Sequence, residues 1–315
     1  MKPRHRVRRA FTLGALTYLG GLLFTVWYLT TPRRIARLIA ELCRPEGGMS
    51  CYDPCCGSGR LPRAMQRAAS RSSDSRVRTF AQEINPVAFL AAAANRILHG
   101  LEMKVKLGSS IGRPAFTDEN GELQRFDLAV ASPPWNMVVR EAINQNDRFK
   151  RFIYGWPSQN GDWIWMQHIL AHLEVDGRMV VMLDREATSR ADDAEVDVRQ
   201  RFVESDLIEA VVLCPWQISR PRWIANFKIQ DAVLIVVNKA KKRSGEILFV
   251  DTRPLVTDYL TARLTSEGVH NVVMEALQNW TELAGVAQIA PNDHVAKMGY
   301  NLAPELYCAG HALAR

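Results

Sequence analysis

Three short stretches of this sequence carry residue types and spacings that could do chemistry, and each follows an apolar run. The first is Asp53-Pro54-Cys55-Cys56-Gly57-Ser58-Gly59. Gly57 and Gly59 let the backbone approach a ligand closely, and a helix starting near Arg60 would present its free N–H groups there. No Gly-Lys-Ser/Thr follows, so this is not a Walker loop, and Pro62 stands where a Gly-x-Gly-x-x-Gly turn needs its last glycine. An acid ahead of the glycines suits a cationic ligand better than a pyrophosphate. A plain tight turn is the alternative. The second stretch, Gln82-Glu83-Ile84-Asn85, puts a carboxylate at a strand end, where it reaches the two ribose hydroxyls of a nucleoside. Alternatively, Glu83 is a charge favoured by the dipole of the helix that Pro86 opens. The third is Ser132-Pro133-Pro134-Trp135. Two prolines leaving a strand expose carbonyls that no ladder uses, a hydroxyl stands ahead of them and an aromatic face behind. Together these make a slot for a planar amine, the ring stacked and its NH₂ held by hydroxyl and carbonyl. A Pro-rich strand exit explains the prolines but not their position.

The surrounding pattern says what must hold these stretches in place. A helix from Pro32 runs through RRIARLIAEL, with Ile35, Leu38, Ile39 and Leu42 on one face. A strand ending at Tyr52 leads into the glycine loop and a basic helix from about Arg60. VRTFAQE is a second strand ending at Glu83, Pro86 opens a helix that Gly100 closes, and MKVKLG and FDLAVAS are further strands. DWIWMQHILAHL reads as an apolar helix with Gly177 ending its turn, and GRMVVML, LIEAVVLC and DAVLIVVN read as buried strands. This alternation predicts an α/β fold with an open, mostly parallel, doubly wound sheet. Ligands of such sheets lie beyond the carboxyl ends of the strands, near the topological switch point. All three stretches fall at such ends.

Composition narrows the class. The 315 residues are 47% apolar and 23% charged, which excludes a disordered or fibrous chain. Six cysteines without a Cys-x-x-Cys pair exclude a disulfide scaffold and a structural zinc site, so no metal is expected. Forty Lys and Arg against 33 Asp and Glu leave a net charge of +7, which suits a polyanionic partner. The clusters from Arg60 to Arg78 and from Lys239 to Arg243 would meet phosphates, or are solvated faces. Phe11 to Thr30 contain no charge and follow KPRHRVRR, a length that could cross a bilayer. Four Gly or Ala and four Thr dilute this segment, and Arg33, Arg34 and Arg37 follow it. The expectation is a segment tucked against the domain of a cytoplasmic protein, not a membrane span.

DPCCGSG, QEINPVAFLAAAANRILHG, FDLAVASPPW, LIEAVVLCPWQI and DAVLIVVNK together resemble the catalytic domain of the modification subunit of type I restriction-modification enzymes. These are S-adenosyl-L-methionine-dependent adenine-N6 DNA methyltransferases. The resemblance starts near LTTPRRIARLIAEL and ends near GYNLAPELY, which divides the chain into segment 1–26, a methyltransferase domain 27–307 and a tail 308–315. It implies the Rossmann-like fold of the class I S-adenosylmethionine-dependent methyltransferases. It implies that Thr30, Thr31 and Pro32 pack against the methionine part of the cofactor, that Asp53, Cys55, Gly57, Ser58 and Gly59 line it, and that Glu83 holds its ribose. Ser132, Pro133, Pro134 and Trp135 would form the slot for a base flipped out of the duplex. Its partners would be DNA and a separate DNA-specificity subunit.

The sequence departs from the family pattern at several places. Ser132 stands where the family usually carries Asn, and Gly108-Ser109-Ser110 follows the third strand where an acid is usual. The family's helical regions before and after the domain, which engage the specificity subunit, are expected to be missing. These departures leave room for a catalytically impaired accessory protein that binds cofactor or DNA. Ser-Pro-Pro-Trp also leaves room for a cytosine-N4 enzyme, and Pro-Pro-aromatic slots serve protein glutamine and RNA bases too. Carbon-5 methylation of cytosine needs a Cys after a Pro, and Cys214-Pro215 has the reverse order.

Overall fold

Strands and helices alternate through the computed structural model, which describes residues 31–71, 76–140, 142–145, 147–157, 159–215, 231–255 and 262–309. The order is α1 (Arg33–Cys43), β1 (Ser50–Asp53), α2 (Arg60–Ala69), β2 (Arg78–Glu83), α3 (Pro86–Leu98), β3 (Met103–Leu107) and β4 (Phe126–Ala131). After the short α4 (Ala142–Gln145) come α5 (Asp162–Ala171), β5 (Leu173–Asp184), α6 (Asp193–Glu204), β6 (Ile208–Cys214) and β7 (Ala232–Asn238). The last elements are β8 (Glu246–Asp251), α7 (Ala262–Asn279), β9 (Ala287–Pro291), α8 (Asn292–Lys297) and α9 (Pro304–Cys308). One sheet has the order β3-β2-β1-β4-β5-β7-β6-β8-β9. Pairings from β3 across to β5 are parallel, as is β6 with β8; β7 is antiparallel to both neighbours, and β9 to β8. This is the mostly parallel, doubly wound α/β sheet that the sequence predicts, and its order reverses between β1 and β4.

Side-chain alternation divides the core between the two faces of the sheet. Met179, Val181 and Leu183 of β5 join Tyr52, Phe126, Trp163 and Phe202 on the face covered by α5 and α6. Val180 and Met182 join Leu128, Leu234 and Val250 on the other face, against Ile35, Ile39 and Leu42 of α1 and Met65 of α2. Both faces are covered, which is why the central strands read as unbroken apolar runs rather than alternating ones.

Local signals hold with two shifts. Pro32 caps α1 rather than occupying its first turn, and Asn85 caps α3 by accepting from Val87 N at 2.9 Å and Ala88 N at 3.2 Å. Gly177 does not end a turn after α5. It lies inside β5, where Leu173 pairs with Phe126 but Arg178 already pairs with Leu128, so the residues between bulge out of the ladder. A Cβ at Gly177 would lie 3.0 Å from Glu174 N, and that crowding accounts for the glycine. Segment 1–26, Thr30 and most of the tail lie outside the described residues. Among the described residues no helix is long and apolar enough to cross a membrane.

Candidate active site

The carboxyl ends of β1, β2 and β4 lie side by side, and the loops leaving them are tied together by hydrogen bonds. Glu83 ends β2 with 8% exposure; its Oε2 accepts from Gly57 N at 2.8 Å and its Oε1 from Asn85 N at 2.7 Å. Cys56 N donates to Gln82 O at 3.0 Å, a second stitch between the same two loops. Gly57 and Gly59 adopt φ of 54° and 80°, the left-handed region that glycine enters freely. Arg60, opening α2, donates to Thr31 O at 2.7 Å and so brings the segment before α1 to the glycine loop. On the other side the Ser132 backbone N–H opposes the upward push of burial on the Cys55 thiol. Thr31, Asp53, Cys55, Gly57, Ser58, Gly59, Glu83 and Ser132 are therefore brought together, while Thr30 is outside the described residues.

Asp53 sets the electrostatics. It is fully buried, and its Oδ1 accepts from Cys55 N at 3.2 Å. Among the described residues its Oδ2 has no hydrogen-bond partner. Burial pushes the carboxyl up to about 8, the Cys55 N–H opposes this, and the neighbouring Glu83 adds to it. A buried carboxyl with one free oxygen is costly to the chain alone and well matched to a cationic ligand. The Cys55 and Cys56 thiols are pushed up by burial and by the same two carboxylates, which makes them packing groups rather than nucleophiles.

Below this loop runs a buried relay with one direction. Arg151 Nη1 lies 2.9 Å from His168 Nδ1 and can only donate, so His168 carries its proton on Nε2 and points it at Tyr52 Oη, 3.1 Å away. Burial raises the Tyr52 phenol, the Ser110 hydroxyl opposes that rise, and Ser110 donates to Pro54 O. Burial, then His172 and Arg151, hold the His168 imidazole well below its ordinary value, so it stays neutral. Ser110 thus serves the Asp53 loop from the place where the resemblance led one to expect an acid.

The β4 exit is held from behind. Pro133 is buried, Pro134 is exposed and Trp135 is half-buried, its Nε1 donating to Met182 O at 3.2 Å. That bond fixes the indole ring. Asn136 follows in the left-handed region at φ 54°, donates from Nδ2 to Asp184 Oδ2 at 2.7 Å and accepts from Arg190 through Oδ1. Arg190 also pairs with Asp162 at 2.9 Å and Glu195 at 3.2 Å. Gly161, just before Asp162, is obligatory, because a Cβ there would fall 2.6 Å from Met137 O. Asn136, Asp162, Asp184 and Arg190 were not among the residues expected from the sequence. The available signal was a polar pair, Gly161-Asp162, opening an otherwise apolar helix.

Comparison with known proteins identifies the family and the fold. A family model described as N-6 DNA Methylase matches residues 27–314. The chain is 30% identical over 295 residues to the methylase subunit of the type I restriction enzyme MjaVIII of Methanocaldococcus jannaschii, covering 88% of this chain and 49% of that protein. It is 28% identical over 256 residues to the HindI methylase subunit of Haemophilus influenzae, covering 79% and 55%. Among solved structures, the methyltransferase subunit of a type I restriction-modification system from Streptococcus thermophilus superimposes with a TM-score of 0.74 at 22% identity, covering 88% of this chain and 59% of that one. A type I modification subunit from Vibrio vulnificus gives 0.67 at 16% identity, covering 91% and 61%. These two share the fold. The chain spans about half the length of the curated relatives it matches.

Proposed function

The chain belongs to the N-6 DNA methylase family, and from that premise we propose that it transfers a methyl group from S-adenosylmethionine to the N6 amine of an adenine flipped out of DNA. The observation that carries the reading is the fully buried Asp53 with its unpartnered Oδ2, beside Glu83 and opposite Ser132 at the switch point of the sheet. These residues fit the cofactor. Asp53 would take its ammonium group, and Glu83 retains a lone pair on each oxygen for the ribose hydroxyls. Cys55, Gly57, Ser58 and Gly59 would line it, and Thr31 and Pro32, with Thr30, would pack on its methionine end. When bound, the cofactor supplies a methyl group on a cationic sulfur.

The rest is positioning. The Ser132 hydroxyl and the Pro133 carbonyl would accept the two hydrogens of the exocyclic amine, turning its lone pair toward the methyl group. Alignment of this kind replaces a covalent enzyme intermediate. Trp135, fixed by its bond to Met182, would stack on the flipped base. The relatives are named as subunits of type I restriction enzymes, and we assign recognition of the DNA site to a separate specificity subunit. Co-expression with such a subunit, followed by co-purification, tests that assignment.

One observation favours a second reading: Ser132 is the slot residue more typical of cytosine-N4 enzymes. Mass spectrometry of nucleosides from cells with and without the protein decides between them. N6-methyladenine that appears only with the protein is expected. N4-methylcytosine alone would move the target to cytosine, and neither product would leave a cofactor- or DNA-binding accessory protein.

A further inference from the structure

A cavity of about 470 Å³ opens along α1 and α2, beginning at Ser58 and Gly59 and running away from the Asp53 loop. Its wall is made of arginines. α2 contributes Arg60, Arg63 and Arg67, with Arg71 just past its end, at spacings of three, four and four that fall on one helical face. Arg33, Arg34 and Arg37 of α1 face them. Among the described residues only one carboxylate, Glu41, shares the lining, and it is already taken by Arg37 at 2.9 Å, by Arg71 and by His270 at 2.6 Å. Among the described residues Arg33, Arg34, Arg63 and Arg67 form no ion pair. The cations disturb one another: burial first, then Arg33 and Arg63, lower the Arg60 guanidinium, and burial, Arg67 and Arg33 lower that of Arg63.

We propose that this groove seats the phosphate backbone of a segment of duplex DNA. From Arg60 to Arg71 the stripe extends about 16 Å at 1.5 Å per residue, the length of about five base-pair steps. A small anion would use one end of it. A nucleotide would find no ring to stack on among the described residues, because none of those that line the cavity is aromatic. An acidic protein would find no large apolar anchor among the described residues, because the remaining lining there is Ala36, Ala64, Ala68, Ser58, Gly59 and Asn95. Guanidinium forks on a small-residue floor match phosphate oxygens, and releasing counterions from those phosphates drives the contact. The inference rests on the reading of DNA as substrate and adds a second place where the duplex is held.

The test uses the full chain with Arg63→Ala and Arg67→Ala combined. Fluorescence anisotropy with a duplex of about 20 base pairs is followed across a salt series. The control removes the same charge from the opposite face of the sheet, with Arg201→Ala on α6 and Lys297→Ala on α8. The expected result is a salt slope smaller by about 2 for the groove variant, with weaker binding of every duplex sequence, while the control keeps the wild-type slope. Equal slopes for both variants would overturn the groove. Poly-glutamate binding as tight as DNA, and as sensitive to the two substitutions, would overturn it in favour of an acidic polypeptide. S-adenosylmethionine titration and methyl transfer by the wild-type chain are read separately. Their failure would remove the methyltransferase reading, whereas normal methyl transfer with an unaltered groove-variant slope removes only the groove.

Discussion

Asp53 closes β1 and Asp184 closes β5, on either side of β4, and neither residue has exposed surface. Their surroundings differ completely. Asp184 accepts from Glu186 N at 3.0 Å and from Asn136 Nδ2 at 2.7 Å, within a network that continues through Arg190 to Asp162 and Glu195. Asp53 accepts from one backbone N–H, and its Oδ2 has no hydrogen-bond partner among the described residues. A chain that satisfies one buried carboxylate with both oxygens engaged has the means to satisfy the other. On the proposed reading, that oxygen is where a ligand's charge would enter, and the satisfied network would be the scaffold behind the slot.

That contrast breaks most visibly at Arg190. Arg190→Met strands the carboxylates of Asp162 and Glu195, and removing one partner of a buried ion pair costs about 3–5 kcal/mol. Urea unfolding should show a loss of that size; a loss below about 1 kcal/mol would mean that this side of the site is no scaffold. Asp53→Asn should behave in the opposite way. Cofactor affinity, read by calorimetric titration, should fall by about 1–3 kcal/mol, the value of a lost charged partner. Stability without ligand should hold or rise, because an uncompensated carboxyl has been removed. Coincident losses of stability and affinity would make Asp53 structural. Trp135→Ala lies between the two, losing about 1–3 kcal/mol of base stacking in DNA binding, together with the anchor on Met182.

The two regions also differ in how far the sequence reveals them. The Asp53 loop is legible because glycine spacing, an acid and a strand end are local features. The Asn136–Asp184–Arg190 network is not, because its members come from three separate stretches and acquire partners only when β4, α5 and β5 pack. DWIWMQHILAHL reads as wholly apolar, yet Asp162, Gln167 and His168 are all buried within it, each satisfied by a residue distant in sequence. Gly177 misleads for a related reason: a bulge inside a strand and a turn after a helix both ask for glycine, and only the register with β4 separates them.

A smaller effect, read along pH, sharpens the same comparison. Burial raises the Asp53 carboxyl from 3.8 to about 8 in the folded chain. Between those values the unfolded chain is ionised there and the folded chain is protonated. The contribution to stability is complete below about 3.8 and is lost as pH rises toward about 8. Asp53→Asn should remove that fall from the melting temperature measured across the window. Ligand binding runs the other way, since an ammonium partner needs the carboxylate. Affinity should climb by up to about tenfold per pH unit below the Asp53 value, then level off where an α-amine loses its own proton, near pH 8. A cofactor affinity that is flat from about pH 6 to 8 would show that Asp53 does not face the charge.

The smallest expected change is at Ser132, and it asks whether the slot or its scaffold sets the target base. A serine hydroxyl accepts an amine hydrogen from a short arm, and an asparagine amide accepts it from a longer one. Adenine N6 and cytosine N4 are similar amines, and in the proposed slot each would be held by that group and the Pro133 carbonyl. In the proposed slot, ring size would be sensed behind them, by the Trp135 indole that Met182 fixes and by the Asn136 backbone that Asp184 and Arg190 hold in the left-handed region. None of these contacts passes through the Ser132 side chain. Ser132→Asn should therefore keep or raise methyl transfer to adenine without changing the base, as read by nucleoside mass spectrometry beside the wild-type product. A switch from N4-methylcytosine to N6-methyladenine on this one substitution would place base choice in the hydroxyl and reverse the roles assigned here to slot and scaffold.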